Sequence, residues 1–307
     1  MERLRRLARR LPGNGLAVVE IRLAREAAAI DLSLRVKEPG QALDLAQRVS
    51  PPHLQRFLSH WAEPGGPFAA AHSIWLEFDL DREPPEALMP VVCAKLFPDA
   101  DRDWLIGSLL PSLHGKPLSE DQRQLVRFCH EAIPAPAYLL YVFSLLSRGG
   151  DAVRMEIFGL DPPGIIAYLK RVAPGAVPWI EGTADLFMGL ERIHLSLDLG
   201  EDILPRIGIE GSFPGLPSRE PRWWELFGRL VDRGLCCPDE RNAALAWPGS
   251  ESFWTAPTTW PTKAVGPHGF CFRKLSHVKV VCRPDRELEA KVYLLFGYIP
   301  ERPAAES

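Results

Sequence analysis

The chain has little of what usually marks a nucleotide or metal protein. It has no glycine-rich loop of the P-loop or Rossmann kind to cradle phosphates. Its eight histidines show neither HExxH nor paired ligand spacing, so no dedicated zinc site is expected. Six cysteines, at 93, 129, 236, 237, 271 and 282, contain no CxxC pair. A chain of this length buries enough core to need no disulfides, so reduced thiols and a cytoplasmic location are expected. A net charge of −3 over 307 residues argues against a general nucleic-acid binder, which would carry a basic domain. No apolar run approaches the roughly 18 residues that span a bilayer. The opening MERLRRLARRLPG is basic and leucine-spaced but lacks the apolar core of a secretory signal; it predicts a short helix packed outside the fold. Tyrosine is scarce, with five in the chain.

What the sequence does contain is alternation. Apolar residues make up 46% of it, enough for a substantial core, and thirty prolines fall mostly between alternating runs, where turns belong. The last such pair, His277 to Tyr298, sets the pattern. Ala290, Val292, Leu294 and Phe296 share one face; Lys291, Tyr293, Leu295 and Gly297 share the other. Before the Arg283–Arg286 connector, Val278 and Val280 oppose His277 and Lys279. One side of this hairpin is apolar, and the other carries cations and a phenol suited to an anion.

The same unit recurs upstream. Leu16–Leu23 and Ile30–Val36 form the first pair, joined at Arg25–Ala28, and His72–Asp81 returns as Leu88–Leu96 past Pro84-Pro85. Tyr138–Leu146 turns at Ser147–Asp151 and returns through Val153–Phe158; Arg192–Leu199 pairs with Arg206–Phe213. Helical spacing covers about 41–61 (broken at Pro51-Pro52), 101–110, 120–132, 163–172, 183–190, 221–233 and 238–246. A hairpin–helix unit thus recurs about every 50 to 65 residues without sequence identity between copies.

Helices need an apolar partner surface, so the apolar strand faces must meet them, and the polar faces must turn inward. Ten antiparallel strands closed in this way are wide enough to leave a lumen. The inward faces would then carry Glu20, Arg22, Asp31, Arg35, Trp75, Glu77, Asp79, Arg154, Glu156, His194, Asp198, Arg206, Glu210, Lys279, Lys291 and Tyr293, a set no dry core tolerates unpaired. The predicted fold is therefore α+β: one domain over 1–307, a closed ten-stranded antiparallel β-barrel of five hairpins with a polar lumen, ringed by α-helices. An N-terminal helix within 1–14, a Trp-rich loop over 247–273 and a tail over 300–307 would flank it. The alternative is an open two-layer α+β sheet whose polar face lies in solvent; large charges of both signs in every repeat favour the barrel.

Five hairpin–helix units around a polar lumen resemble the ABBA, or PT-barrel, prenyltransferases, and hairpin placement looks most like the cyanobactin-type branch that prenylates ribosomal peptides. The resemblance covers about Leu16 to Tyr298 and is architectural. It implies that Glu20 on the first hairpin holds or deprotonates the acceptor, with Glu77 as the alternative, and that Arg35 on the returning strand grips diphosphate. Lys291-Val292-Tyr293 matches the Lys-x-Tyr pairs that bind diphosphate in that family, with Lys279 alongside; Arg154 and Arg206 are further inward cations at family-like positions. An allylic cation formed there would need aromatic faces, for which Trp75, Tyr141, Phe143 and Phe158 are candidates, each also a plausible core residue.

The implied reaction moves a prenyl group from dimethylallyl or geranyl diphosphate to a peptide or small aromatic acceptor, as in ribosomal-peptide (RiPP) modification. It requires no cofactor or metal ligand set, although Mg2+ bridging diphosphate to Asp31 or Asp79 is compatible with the pattern. Neither Asp79-Leu80-Asp81 nor Asp99–Asp103 is the DDxxD of the all-helical prenyl synthases. The chain also departs from the family. It has a single Lys-x-Tyr pair, and RIGIEG supplies Arg206, Gly208 and Glu210 where a basic, aromatic strand is usual. A second reading follows from those departures: a barrel that binds a peptide or small molecule without making bonds.

Overall fold

The structure, a computed structural model, describes residues 2–11, 15–24, 29–80, 88–253, 269–284 and 286–300. Eleven strands form one sheet: β1 (Leu16–Arg22), β2 (Ile30–Val36), β3 (Ala71–Asp79), β4 (Val91–Leu96), β5 (Tyr138–Ser144), β6 (Val153–Phe158), β7 (Arg192–Leu199), β8 (Ile203–Ser212), β9 (Gly249–Phe253), β10 (Gly269–Arg283) and β11 (Arg286–Pro300). Consecutive strands pair antiparallel from β1 to β8, β8 pairs with β10, and β11 pairs with both β10 and β1. The ring therefore closes with ten strands, as expected. β9 is an eleventh, laid against the first residues of β10 beyond the ring.

The side-chain period of two explains why the ring closes with charge inside. Leu32, Leu34, Ile74, Leu76, Val142, Met155, Leu195, Leu197, Ile209 and Val280 point outward and are buried. They meet helices α1 (Glu2–Arg10), α2 (Pro39–Ala46), α3 (Pro52–Ala62), α4 (Arg102–Trp104), α5 (Leu110–His114), α6 (Glu120–Glu131), α7 (Pro162–Val172), α8 (Val177–Glu181), α9 (Arg222–Asp232) and α10 (Pro238–Ala246). Each longer helix buries one stripe: Leu54, Phe57, Leu58 and Trp61 in α3, and Trp223, Leu226, Phe227 and Leu230 in α9. The intervening residues carry the buried charges Glu20, Asp31, Arg154, Glu156, Asp198, Glu210, Lys279 and Lys291. One continuous apolar layer thus lies between barrel and helices, and the barrel's own interior is polar.

Helix positions follow local chemistry. Asp101, Ser119 and Asp161 cap α4, α6 and α7, the side-chain oxygen of each accepting a backbone N–H from the first turn of its helix. Pro39 and Pro52 open α2 and α3, splitting the predicted 41–61 segment as Pro51-Pro52 suggested.

Three expectations need correcting. The Trp-rich segment 247–273 is not wholly irregular, because 249–253 and 269–273 form strands that pair with each other. Trp247 packs on Phe296 and donates its indole N–H to the Leu295 carbonyl, so it straps the long last hairpin. The expected helix at 183–190 is only a 3-10 turn, Ala184–Phe187, and the return strand expected from Leu88 begins at Val91. Trp254, Trp260, the Arg25–Ala28 connector and the Pro84-Pro85 turn lie outside the described residues, as does the tail over 301–307. Among the described residues no helix is long and apolar enough to cross a membrane.

Candidate active site

A cavity of about 360 Å³ occupies the lumen. Of the predicted residues, Glu20, Glu77, Arg35, Arg154, Arg206, Lys279, Lys291, Tyr293, Trp75, Tyr141 and Phe143 all line it. Phe158 does not. It lies two residues beyond Glu156 on the same face of β6, edge-on to His194 at 5.0 Å and to Tyr138 at 5.6 Å between ring centres, and packs against that histidine.

Strand register explains how distant residues meet. Lys291 stands opposite Lys279, which stands opposite Glu210, which stands opposite His194. Two ammonium groups facing each other would be unfavourable. Each is drawn off by a different glutamate: Lys291 binds Glu20, whereas Lys279 binds Glu210 at 2.6 Å. Lys279 also donates to Ser196 Oγ at 2.9 Å and lies 3.5 Å from Glu156, and Ser196 in turn donates to Glu156 at 2.8 Å. Gly208 makes this crossing physically available. A Cβ there would lie 2.6 Å from Lys279 Cε and 3.2 Å from Ser196 Cβ.

Nearer the hairpin turns, Arg22 pairs with Asp31 at 3.0 Å. Arg148 binds Glu77 and also Asp79, the latter at 2.6 Å. Sequence reasoning missed Arg148 because Ser147–Asp151 reads as a turn. It is one, but the long side chain folds back into the lumen from a 3-10 turn at Leu146–Arg148. Ser196, Arg192 and Lys274 also escaped notice, although each lies on a predicted strand or beside one.

Two groups of carboxylates have the compactness of a cation site: Glu20, Asp31 and Glu77, and Glu156, Glu210 with His194. In both, side-chain cations pair with the carboxylates. Lys279 sits between the two carboxylates of the second group, and Lys291, Arg22 and Arg148 pair with those of the first.

The charges do not cancel locally. Arg154 makes a two-pronged pair with Asp198, at 2.5 and 3.1 Å, and Arg206 reaches the same carboxylate at 3.3 Å. Two guanidiniums therefore share one carboxylate. Arg206 pays electrostatically: burial first, then Arg154, pull its pKa below the ordinary arginine value. Asp198 is driven the other way; burial opposes ionisation, but Arg154 and Arg206 outweigh it and bring the carboxyl to about 2. Arg35, Arg192 and Lys274 line the cavity with no ion-pair partner among the described residues. Around the whole cavity, eight arginines and lysines face four glutamates, so a multiply charged anion can be accommodated.

The individual carboxyls differ sharply. Burial opposes ionisation of Glu20, but the ammonium of Lys291 and the hydroxyl of Tyr293 hold it well below the usual range. Lys279 likewise overcomes burial to keep Glu210 ionised. Burial, with Glu20 and Glu77 nearby, pushes Asp31 up to about 8, and burial with Glu210 pushes Glu156 to about 8. Burial lowers His194 to about 4, so its imidazole is neutral.

One wall of the cavity is aromatic. Tyr141 lies 6.3 Å from Phe143 and 6.4 Å, stacked, from His194; Arg154 lies over Phe143 at 5.6 Å. His277 stacks on Tyr293 at 4.0 Å. The Trp75 indole N–H is buried with no hydrogen-bond partner among the described residues. The site thus offers a ligand a cationic seat on one side and π-faces on the other.

The closed antiparallel barrel with helices outside matches the fold of solved aromatic prenyltransferases. The 6-dimethylallyltryptophan synthase of Micromonospora olivasterospora, in complex with DMASPP and Trp, is similar over 91% of this chain and 81% of its own, with 14% identity and a TM-score of 0.51. A second 6-dimethylallyl tryptophan synthase structure matches over 91% and 80%, at 12% identity and a TM-score of 0.52. No protein-family model matches the chain, and no curated protein sequence matches it significantly. At these identities the likeness establishes the fold.

Proposed function

We propose that this barrel transfers a prenyl group from an allylic diphosphate, dimethylallyl or geranyl, to an electron-rich aromatic acceptor. The observation that carries the reading is the surplus of buried positive charge at Arg154 and Arg206, which share Asp198 beside an aromatic wall. A diphosphate supplies the missing negative charge, and its prenyl chain would extend towards Phe143, Tyr141 and Trp75. Similarity of fold to synthases whose structures hold DMASPP and Trp supports the same choice of ligands.

In this reaction the allylic C1–O bond breaks and its electron pair leaves with diphosphate. Arg154, Arg206, Lys279 and Lys291, with Arg35 towards the mouth, meet the growing charge with fixed cations. The aromatic faces stabilise the allylic cation and keep water from it. A ring carbon of the acceptor then bonds to C1 and the ring loses its proton. Glu20, kept ionised by Lys291, is proposed to anchor the acceptor by accepting its hydrogen bond and to receive that proton; Glu77 is held by Arg148 in a supporting position. Arg154 and Arg206, with one carboxylate between them, supply positive charge that the single Lys-x-Tyr pair, Lys291–Tyr293, does not. No step uses a metal ion, and magnesium is proposed at most as a counter-ion of the donor. A cavity of about 360 Å³ suits one ring and a short prenyl chain, so a peptide acceptor would insert a single aromatic side chain.

Isothermal calorimetry with dimethylallyl thiolodiphosphate tests the reading. Wild-type protein should bind it, and Arg206→Ala should weaken binding at least tenfold while leaving the unfolding temperature unchanged or raised, because Arg154 then keeps Asp198 to itself. Failure of the wild-type protein to bind dimethylallyl and geranyl thiolodiphosphates alike would leave the non-catalytic binding barrel as the better reading.

A further inference from the structure

Building on that reading, we infer that Glu156 and Glu210 hold one proton between them and that Glu156 delivers it to the departing diphosphate as the general acid of the reaction. The geometry begins with a count of charges. Glu156 and Glu210 approach within 4.8 Å of each other and share a single ammonium, Lys279, which lies 2.6 Å from Glu210 and 3.5 Å from Glu156. Both carboxyls are buried, at 4% and 6% exposure, and both line the cavity. Two buried carboxylates facing one lysine leave one negative charge in excess, and a proton is the simplest way to remove it. The other lumen glutamates each have a close cation: Lys291 for Glu20, and for Glu77 Arg148, which also holds Asp79.

The surroundings decide which of the two carries the proton. Glu210 has the closer lysine, with His277 3.3 Å away. Glu156 has only the Ser196 hydroxyl at 2.8 Å and the more distant lysine. The remaining titratable or charged groups near it are Cys93 on β4, Tyr141 on β5, Arg154 on its own strand, and His194 and Asp198 on β7. Lys95 on β4, in register with Tyr141, and Arg206 on β8, Tyr293 on β11, Glu77 and Arg148 are also among them. Of these, Arg154 and Arg206 are committed to Asp198 and Arg148 to Glu77, and burial keeps His194 neutral. None supplies Glu156 with a dedicated cation. The shift of Glu156 to about 8 agrees with this count.

Glu156 stands two residues along β6 from Arg154, beside the proposed seat of the leaving group. A neutral carboxylic acid there does two things that a carboxylate could not. It does not repel the diphosphate, and it can hand over a proton as the C1–O bond breaks. The electron pair goes to the diphosphate oxygen, the Glu156 proton follows it, and hydrogen diphosphate leaves. The proton later lost by the acceptor ring restores the balance through Glu20 and solvent.

The test follows diphosphate release from dimethylallyl diphosphate, with tryptophan or water as acceptor, alongside calorimetric binding of dimethylallyl thiolodiphosphate. In wild type, kcat should fall about tenfold per pH unit above about 8, as Glu156 loses its proton. Glu156→Gln should bind the analogue within threefold of wild type, lose about 100-fold in kcat, and lack the alkaline limb. Ser196→Ala removes the hydrogen bond that favours the ionised form, so the limb should move to higher pH; this second variant decides the matter if Glu156→Gln does not fold. Glu156→Gln turnover within threefold of wild type or an unchanged alkaline limb would overturn the acid assignment alone, whereas wild-type binding of the analogue without diphosphate release at any pH would overturn it together with the prenyl-transfer reading. Absence of analogue binding to wild-type protein would overturn the prenyl-transfer reading and this inference together.

Discussion

Asp198 is the residue on which the charge balance of the lumen turns. It is the one described carboxylate that touches both Arg154 and Arg206, and all three are largely buried. Replacing it with asparagine keeps the shape and leaves two guanidiniums uncompensated. Breaking a buried pair by removing one partner costs about 3–5 kcal/mol, so Asp198→Asn should be destabilised by that amount in urea unfolding. Inorganic pyrophosphate should restore part of the loss, because an anion bound by the native state alone stabilises by mass action. Stability unchanged in Asp198→Asn would show that water already neutralises the two arginines. Recovery by sulfate at the same ionic strength, equal to recovery by pyrophosphate, would show a non-selective anion seat.

At the scale of elements, glycines decide where one layer may approach another. Gly211 lies on the outer face of β8, under the turn that carries Leu190, and a Cβ there would stand 2.1 Å from Leu190 Cδ1. Gly211→Ala should therefore cost about 1–3 kcal/mol, the usual penalty of overpacking. Leu190→Ala in the same chain should recover much of it, which a double-mutant cycle would register as a coupling of at least 0.5 kcal/mol. Additive losses would mean that the turn simply moves away.

The elements were also where the sequence was most readable. Strict alternation located both strands of every hairpin and the inward direction of Glu20, Glu156, Lys279 and Lys291, because burial of the opposite face allows only one register. Pro51-Pro52 marked the break between α2 and α3. Side-chain reach was less accessible. Arg148 sits in a turn, and nothing local reveals that it curls back to Glu77 and Asp79. The strand Gly249–Phe253 was hidden for a related reason: GSESF has weak strand propensity, and it is extended because β10 supplies the partner. Which carboxyl would be ionised was also out of reach, since that depends on distances such as the 2.6 and 3.5 Å separating Lys279 from Glu210 and Glu156.

For the molecule as a whole, a charged interior makes stability a function of pH with a definite sign. Asp31 and Glu156 have folded values of about 8, against ordinary values of 3.8 and 4.5. Between those limits the native state holds more protons than the unfolded chain, so their contribution is complete in acid, declines as pH rises and is gone above about 8. The buried histidines act oppositely. His194, lowered to about 4 from 6.5, and His277, also lowered, bind fewer protons when folded, so stability grows as pH rises towards 6.5 and then levels off. Glu20, Glu210 and Asp198 are depressed, and their contributions disappear only when strong acid protonates them in the native state. From pH 6.5 to 8 the two raised carboxyls are therefore unopposed, and Tm should fall by several degrees across that interval. The double variant Asp31→Asn, Glu156→Gln removes both titrations while keeping the shape of each side chain. Its Tm should be flat over the same interval by differential scanning calorimetry. A wild-type Tm that stays level or rises from pH 6.5 to 8 would mean that both carboxyls are already ionised, and that the charge on each is met by water or neighbouring cations instead of by a proton.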